Sequence, residues 1–301
     1  MSEGLPSLEN VIDDLAELFG REAEAEVVRD GGRLRITRAQ TVSEITPGRV
    51  QGVSVDAGVR FPALSVSTTP RGNVAFPGSA RMRASRLNPE SAVGAVQAPA
   101  AGERGGLVIG SRVCVDAEVP WHATGRHLVR LAVMESGTTL FDGPRPDSRQ
   151  LDRAGLGVWR NGLRSIASVE PDGWRVIRRA ADSLLAQPLG WPPVRGATIS
   201  LAVGGNIPLV GRGFQYILQM PGPYADADEL ARLCDALNRQ EWENATGAPH
   251  IGAWSASADG YCRYQVSVPA RLGRRLPDLP RQLLETSGAR ANSAIALQSL
   301  A

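Results

Sequence analysis

Leu230 to Ser255 reads LARLCDALNRQEWENATGAPHIGAWS, and the fold turns on how this stretch is read. Just upstream, Asp226-Ala227-Asp228-Glu229 has the Asp-x-x-Glu order of a capping box, in which side chains take up the orphan N–H groups of a helix start. From there Ala227, Leu230, Leu233, Cys234 and Leu237 recur at helical spacing, so one face of a helix is apolar. Asn238 stands one turn beyond Cys234, at the margin of that face, and Trp242 one turn beyond Asn238. A partly buried amide needs partners, and the backbone of a neighbouring strand is the natural source. After it, PHIGAWSASADGYCRYQVSVP reads as two strands around the turn Ala258-Asp259-Gly260. Gly252 permits a close backbone approach and Trp254 offers a large apolar surface to the helix. The stretch is therefore a helix laid on a hairpin, with Asn238, Gly252 and Trp254 as its structural corner.

Outward from this corner the same alternation of helices and strands continues. Ser7 can cap a first helix whose Leu8, Val11, Ile12, Leu15, Leu18 and Phe19 share one face, and Gly20 is a natural stop. EAEVVRDGGRLRITR then reads as a hairpin around Asp30-Gly31-Gly32, followed by strand candidates VQGVSVDA and ALSVSTT. Residues 70–106, rich in Pro, Gly, Ala and Arg and without a steady period, read as a long loop or insertion. LVIGSRVCVDAEVPW and HLVRLAVMES carry strand signals. Helices are expected over about Arg149–Ser168 and again from Pro171, where Trp174, Ile177, Ala181, Leu184 and Leu185 fall on one face. ATISLAVGG and FQYILQM are further strands, and helix-forming sequence closes the chain.

An internal echo suggests duplication. VPWHATGRHLVRLAVM (Val119–Met134) resembles IPLVGRGFQYILQM (Ile207–Met220): each has an aliphatic-Pro pair, a Gly-Arg pair and an apolar run. The expectation is an α+β protein of two related modules, 1–145 and 146–301, each an antiparallel β-sheet packed against α-helices, the first enlarged by residues 70–106. Trp121, Arg126, Arg212, Phe214 and Tyr216, around the two Gly-Arg turns, are the candidate partner-binding residues; plain turn formation also accounts for them.

Composition narrows the chemistry. Hydrophobic residues make up 43% and charged ones 21%, enough apolar sequence for a sizeable core. The acidic start MSEGLPSLENVIDD has no secretory-signal pattern, and no apolar run is long enough to span a membrane. Cys114, Cys234 and Cys262 share no CxxC spacing, which argues against a disulfide framework or structural zinc and favours a reducing cytoplasm. All 33 basic residues are Arg, a bias typical of a GC-rich genome such as an actinobacterium's. The net charge of +2 and 5% aromatic content disfavour nucleic-acid binding. Charge is uneven: Glu3, Glu9, Asp13, Asp14, Glu17, Glu22, Glu24, Glu26 and Asp30 crowd the first thirty residues, whereas the stretch after Arg263 is arginine-rich. VGGNIPLVGRGF lacks the order of a phosphate-binding loop and reads as a turn between strands. His122, His127 and His250 have no metal-ligand spacing, and no nucleophile motif or isolated carboxylate pair occurs. No catalytic, cofactor or metal residue is assigned.

The helix-then-hairpin pattern resembles the YbjN and type III secretion chaperone-like superfamily. The residues that carry the resemblance are Leu233, Leu237 and Asn238 at the helix end, the strand start Gly252-Ala253-Trp254, Asp259-Gly260, and the strand Tyr261–Pro269. They cover roughly residues 172–285, with a fainter copy in the first half. The resemblance implies a non-enzymatic module that binds another protein or peptide segment, in a chaperone-like or adaptor role linked to bacterial secretion or conflict systems. A sheet edge would take a partner strand, or helices would pair, with homodimerisation allowed. The alternative is an enzyme or small-ligand binder with its site in the cleft between the modules, near His122, His127 and His250.

Overall fold

The Ser7 hydroxyl accepts a hydrogen bond from the Asn10 backbone N–H at 3.2 Å and so caps α1 (Leu8–Gly20), which buries Val11, Ile12, Leu15 and Phe19. The computed structural model describes residues 7–22, 24–51, 60–72, 80–99, 106–114, 125–141, 153–168, 174–188, 196–243 and 250–298. α1 lies on β1 (Glu26–Asp30) and β2 (Arg33–Thr37). Gly31 turns that hairpin at φ 57°, in the left-handed region open to glycine. β3 (Thr41–Gln51) and β4 (Arg60–Pro70) continue the meander. Then come α2 (Ala80–Leu87), a 3₁₀ turn over Asn88–Glu90, β5 (Ala95–Gln97), β6 (Val108–Cys114) and α3 (Arg126–Phe141). β6 inserts beside β4, giving the antiparallel order β1-β2-β3-β4-β6-β5.

The second half repeats that plan. α4 (Arg153–Ser168) precedes the meander β7 (Trp174–Arg179), β8 (Ser183–Pro188), β9 (Thr198–Ile207) and β10 (Gly211–Gln219). α5 (Ala227–Glu243), β11 (Ala253–Ala256) and β12 (Cys262–Pro269) follow, and a 3₁₀ turn at Ala270–Leu272, α6 (Leu279–Glu285) and α7 (Ser287–Gln298) end it. β12 inserts beside β10, so the order β7-β8-β9-β10-β12-β11 matches the first sheet strand for strand. The protein is α+β, with two similar six-stranded antiparallel modules.

Register gives the repeat at residue level. Ser65 of β4 faces Arg112 of β6, and Gln215 of β10 faces Ser267 of β12; each facing pair is also joined through its side chains, at 3.1 and 3.4 Å. The counterpart of β10 is thus β4. The expected match of Val119–Met134 with Ile207–Met220 does not hold, because Arg126–Phe141 is a helix. Its run Leu128, Val129, Leu131, Ala132, Val133 is buried on nearly every side, with β4 and β6 against it. Such an apolar run cannot be told from a buried strand by period alone. The helix expected from Pro171 is instead the β7–β8 hairpin: Leu184 and Ala186 are buried with a less buried Leu185 between them, a strand's alternation.

Residues 70–106 are not an insertion where they are described. They hold α2, the 3₁₀ turn and β5, the counterparts of α5 and β11. The period was hidden because α2 buries only Ala84 and β5 has only three residues. Of VQGVSVDA, only Val50 and Gln51 are described, at the end of β3.

The modules are joined by exchanged backbone bonds. Arg112 of β6 and His250, just before β11, bond each other in both directions at 2.8 and 2.9 Å. Reciprocally, Ser267 of β12 donates to the carbonyl of Ala92, just before β5, at 3.0 Å. By the register above these are equivalent positions, so each module's approach to its short strand pairs with the other module's inserted strand. Trp242 of α5 packs on Gly110, and the Arg112 guanidinium lies 5.3 Å from the Trp242 ring centre. The main hydrophobic core runs from Val11 to Ala294 through both modules, and a smaller cluster of Ala84, Val96, Leu107, Ile109 and Leu140 packs beside it in the first.

Candidate functional site

The capping box forms: Asp226 Oδ1 accepts from the backbone N–H groups of Asp228 and Glu229, at 2.8 and 3.3 Å. At the far end of α5, buried Asn238 clamps β11. Its Nδ2 donates to the Trp254 carbonyl at 2.9 Å, and its Oδ1 accepts from the Trp254 N–H at 2.8 Å. Gly252 donates its N–H to the Tyr264 hydroxyl, and a Cβ there would lie 2.5 Å from the Gln265 carbonyl oxygen, closer than atoms pack. The first module carries the same clamp. Asn88 Nδ2 donates to the Val96 carbonyl at 3.0 Å and Oδ1 accepts the Val96 N–H at 2.7 Å. Leu87-Asn88 and Gly94-Ala95 thus match Leu237-Asn238 and Gly252-Ala253. That pair of dipeptides was the one visible sequence signal of the true repeat.

Behind Asn238 lies a buried charged cluster. Glu241 accepts from Trp254 Nε1 and His250 Nδ1, both at 2.6 Å, and from Arg290 Nε of α7 at 3.5 Å. Burial alone would raise the Glu241 carboxyl. The charges of Arg290 and His250 and the hydrogen bonds from His250 and Trp254 outweigh it and hold the group at about 2. The Arg290 guanidinium also sits 4.5 Å above the Tyr264 ring. These side chains are nearly buried and bonded to one another, so the cluster fastens α5, β11 and α7. His250, which has no metal-ligand spacing in the sequence, belongs to this cluster through Nδ1; its buried Nε2 has no partner.

The candidate partner-binding residues are not brought together as a surface. Phe214 and Tyr216 are fully buried, Phe214 against Trp159 at 5.5 Å and Tyr216 bonded to Ser287 at 2.6 Å, so neither can meet a partner. Proximity to the Gly-Arg turn does not expose them, because β10 lies inside the sheet between β9 and β12. Arg126 starts α3, 3.6 Å from Asp14. Arg212 is half-buried at the start of β10. Trp121 and His122 lie outside the described residues.

Besides the outer edge of β1, which exposes Val28, two surfaces among the described residues carry arginines. One is a cleft of about 430 Å³ lined by His127, Arg130, Leu131 and Met134 of α3 and by Arg271, Leu272 and Arg275 of the segment after β12. It is an inter-module cleft, with one wall from each half. The other is the outer edge of β7, which has no neighbouring strand among the described residues and presents Arg175, Ile177, Arg178 and Arg179 exposed.

Among the described residues no helix is long and apolar enough to cross a membrane, and no group of His, Cys, Asp and Glu is placed to hold a metal. Fold and site together define a tandem α+β protein whose halves are fused through exchanged strand contacts. No protein-family model matches the chain, and searches of curated proteins and of solved structures return no match.

Proposed function

We propose that this chain is a non-catalytic protein-binding protein, a tandem relative of the YbjN and type III secretion chaperone-like modules. It takes an extended, acidic segment of its partner as an added strand on β7. The observation that carries this reading is β7 itself. Its outer edge has no neighbouring strand among the described residues, and Ile177, at the irregularity between Val176 and Arg178, is 51% exposed with the exposed Arg175, Arg178 and Arg179 close to it in sequence. Natural edge strands are blunted by charge, and arginines of one sign repel copies of the same edge while attracting a carboxylate-bearing strand. Main-chain hydrogen bonds would supply affinity and the arginines the selection. Adaptor and chaperone-like roles both follow from holding a segment extended.

The test is co-purification from native lysate followed by a binding assay with the recovered partner's acidic segment. Ile177→Lys and Arg178→Glu change exposed side chains, so folding should be unaffected. Binding should weaken by about ten-fold or more for the charge reversal, the size of a charge-assisted contact. Recovery of no stoichiometric partner, or a partner whose affinity ignores both substitutions, refutes the reading.

A further inference from the structure

The cleft between the modules has a chemistry that strand addition on β7 does not use. Its first wall is a single helical face: His127, Arg130, Leu131 and Met134 recur at three- and four-residue steps along α3. Its second wall is the segment after β12, carrying Arg271, Leu272 and Arg275. The cleft exists only because the two halves are packed together. No carboxylate is among the described side chains that line it. Arg130 is held by Glu22 at 2.8 Å and Arg271 by Glu135 at 3.5 Å, each through one nitrogen. A guanidinium has five N–H donors in a planar fork, so both retain donors for a further acceptor. Arg275, exposed at the same rim, has no such carboxylate partner among the described residues.

His127 supplies an independent sign of a missing ligand. It is 9% exposed, lines the cleft, and its buried Nδ1 has no hydrogen-bond partner. A buried polar nitrogen without a partner costs free energy, and a small movement of the ring toward an acceptor in the cleft would relieve it. Burial, then the charges of Arg275, Arg126 and Arg130, push its pKa down to about 4, with only Asp14 acting in the other direction. At neutral pH the imidazole is uncharged and surrounded by positive field. An anion entering the cleft would meet guanidinium forks and an imidazole N–H, while Leu131, Met134 and Leu272 would cover an apolar body. The volume is at the small end of ligand sites, enough for a compact molecule.

We propose that this cleft binds the oxyanion group, carboxylate or phosphate, of a small ligand with an apolar body, held by Arg275, Arg130, Arg271 and His127. The site is distinct from β7 and stands or falls without it. It is tested on the full chain by isothermal titration and by the His127 imidazole NMR signals, with inorganic phosphate and hexanoate as separate probes. At least one probe should bind with a dissociation constant of roughly 1 mM or tighter, weakening as salt screens the arginines. It should shift the His127 resonances and raise the pH at which they titrate. Hexanoate binding more tightly than phosphate assigns the apolar carboxylate; phosphate binding more tightly assigns a phosphate-bearing ligand.

Arg275→Gln, an exposed change that should leave the fold intact, is expected to weaken binding by about ten-fold. His127→Gln keeps a neutral donor and should weaken it less. If neither probe perturbs His127, or if the affinity is the same in Arg275→Gln, the proposal is wrong.

Discussion

Arg290→Met should lower the folding stability of the whole chain by about 3–5 kcal/mol, the usual cost of removing one partner of a buried ion pair. The expectation follows from what the substitution leaves behind. Glu241 would stay a buried carboxylate facing Trp254 and His250, without the charge that most strongly holds it ionised. Methionine fills much of the arginine's volume, so the loss is electrostatic more than a cavity. For a domain with ordinary stability this is a large share of the total. Urea denaturation followed by far-UV circular dichroism measures it. Adding Glu241→Gln to Arg290→Met should recover a good part of the loss, since a glutamine oxygen can still accept from Trp254 Nε1 without a charge. A double variant as unstable as the single one would show that Arg290 acts through packing on Tyr264.

The same cluster sets an acid dependence whose direction is fixed. Glu241 titrates near 2 when folded and at the ordinary 4.5 when unfolded. Its stabilising contribution is therefore whole above about pH 4.5 and is lost as pH falls toward 2. His127 acts in the same direction over a higher window. Its folded pKa of about 4 lies below the ordinary 6.5, so the unfolded chain takes up its proton first as pH falls through that range. The native protein should lose urea stability progressively from pH 6.5 downward. The gap between it and Arg290→Met should narrow in acid, as the unpaired Glu241 of the variant becomes protonated. A gap that stays constant or widens toward pH 3 would overturn this assignment.

The corner of the second module was legible in the sequence because every local signal agreed: capping box, helical period, an amide at the margin, glycine, tryptophan, and an Asp-Gly turn. The plan of two related modules was legible as well, but the residues chosen to show it were not the right ones. Gly-Arg pairs are common in so arginine- and glycine-rich a chain, and the resemblance of HLVRLAVM to FQYILQM is only that both are apolar. α3 is buried on several sides and so loses the one-sided period by which helices are recognised. β7 and β8 carry apolar residues at spacings that mimic a helix face until the Ala181-Asp182 bend is known. The cleft was beyond the sequence, since its walls, about 140 residues apart at Arg130 and Arg271, meet only through packing of the two halves. The arginine-rich segment after Arg263 was visible; that it faces a nearly buried histidine was not.

Replacing either clamp asparagine by leucine should destabilise the chain to a similar degree, and in a single transition. Asn238→Leu keeps the approximate volume but withdraws both amide groups from Trp254, whose N–H and C=O then lie buried with no partner. At about 1–3 kcal/mol for each stranded group, the loss is about 2–6 kcal/mol. Asn88→Leu does the same to Val96 in the first module. Asn238→Asp is the sharper control, since it keeps an acceptor for the Trp254 N–H and loses only the donor. It also sets a carboxylate against a carbonyl, near Glu241, so it should not rescue.

Both clamps hold the short strand whose approach segment pairs with the opposite module, through His250 to Arg112 and Ala92 to Ser267. Loosening either strand therefore loosens the junction, and because the main core is continuous through both halves the loss should spread to the whole chain. Urea curves read by Trp fluorescence and by circular dichroism should coincide for both variants. Two resolved transitions in Asn88→Leu would mean that the second module folds alone. A loss below about 0.5 kcal/mol in either variant, the range of ordinary surface changes, would mean that the amide clamp is not what fastens the short strands.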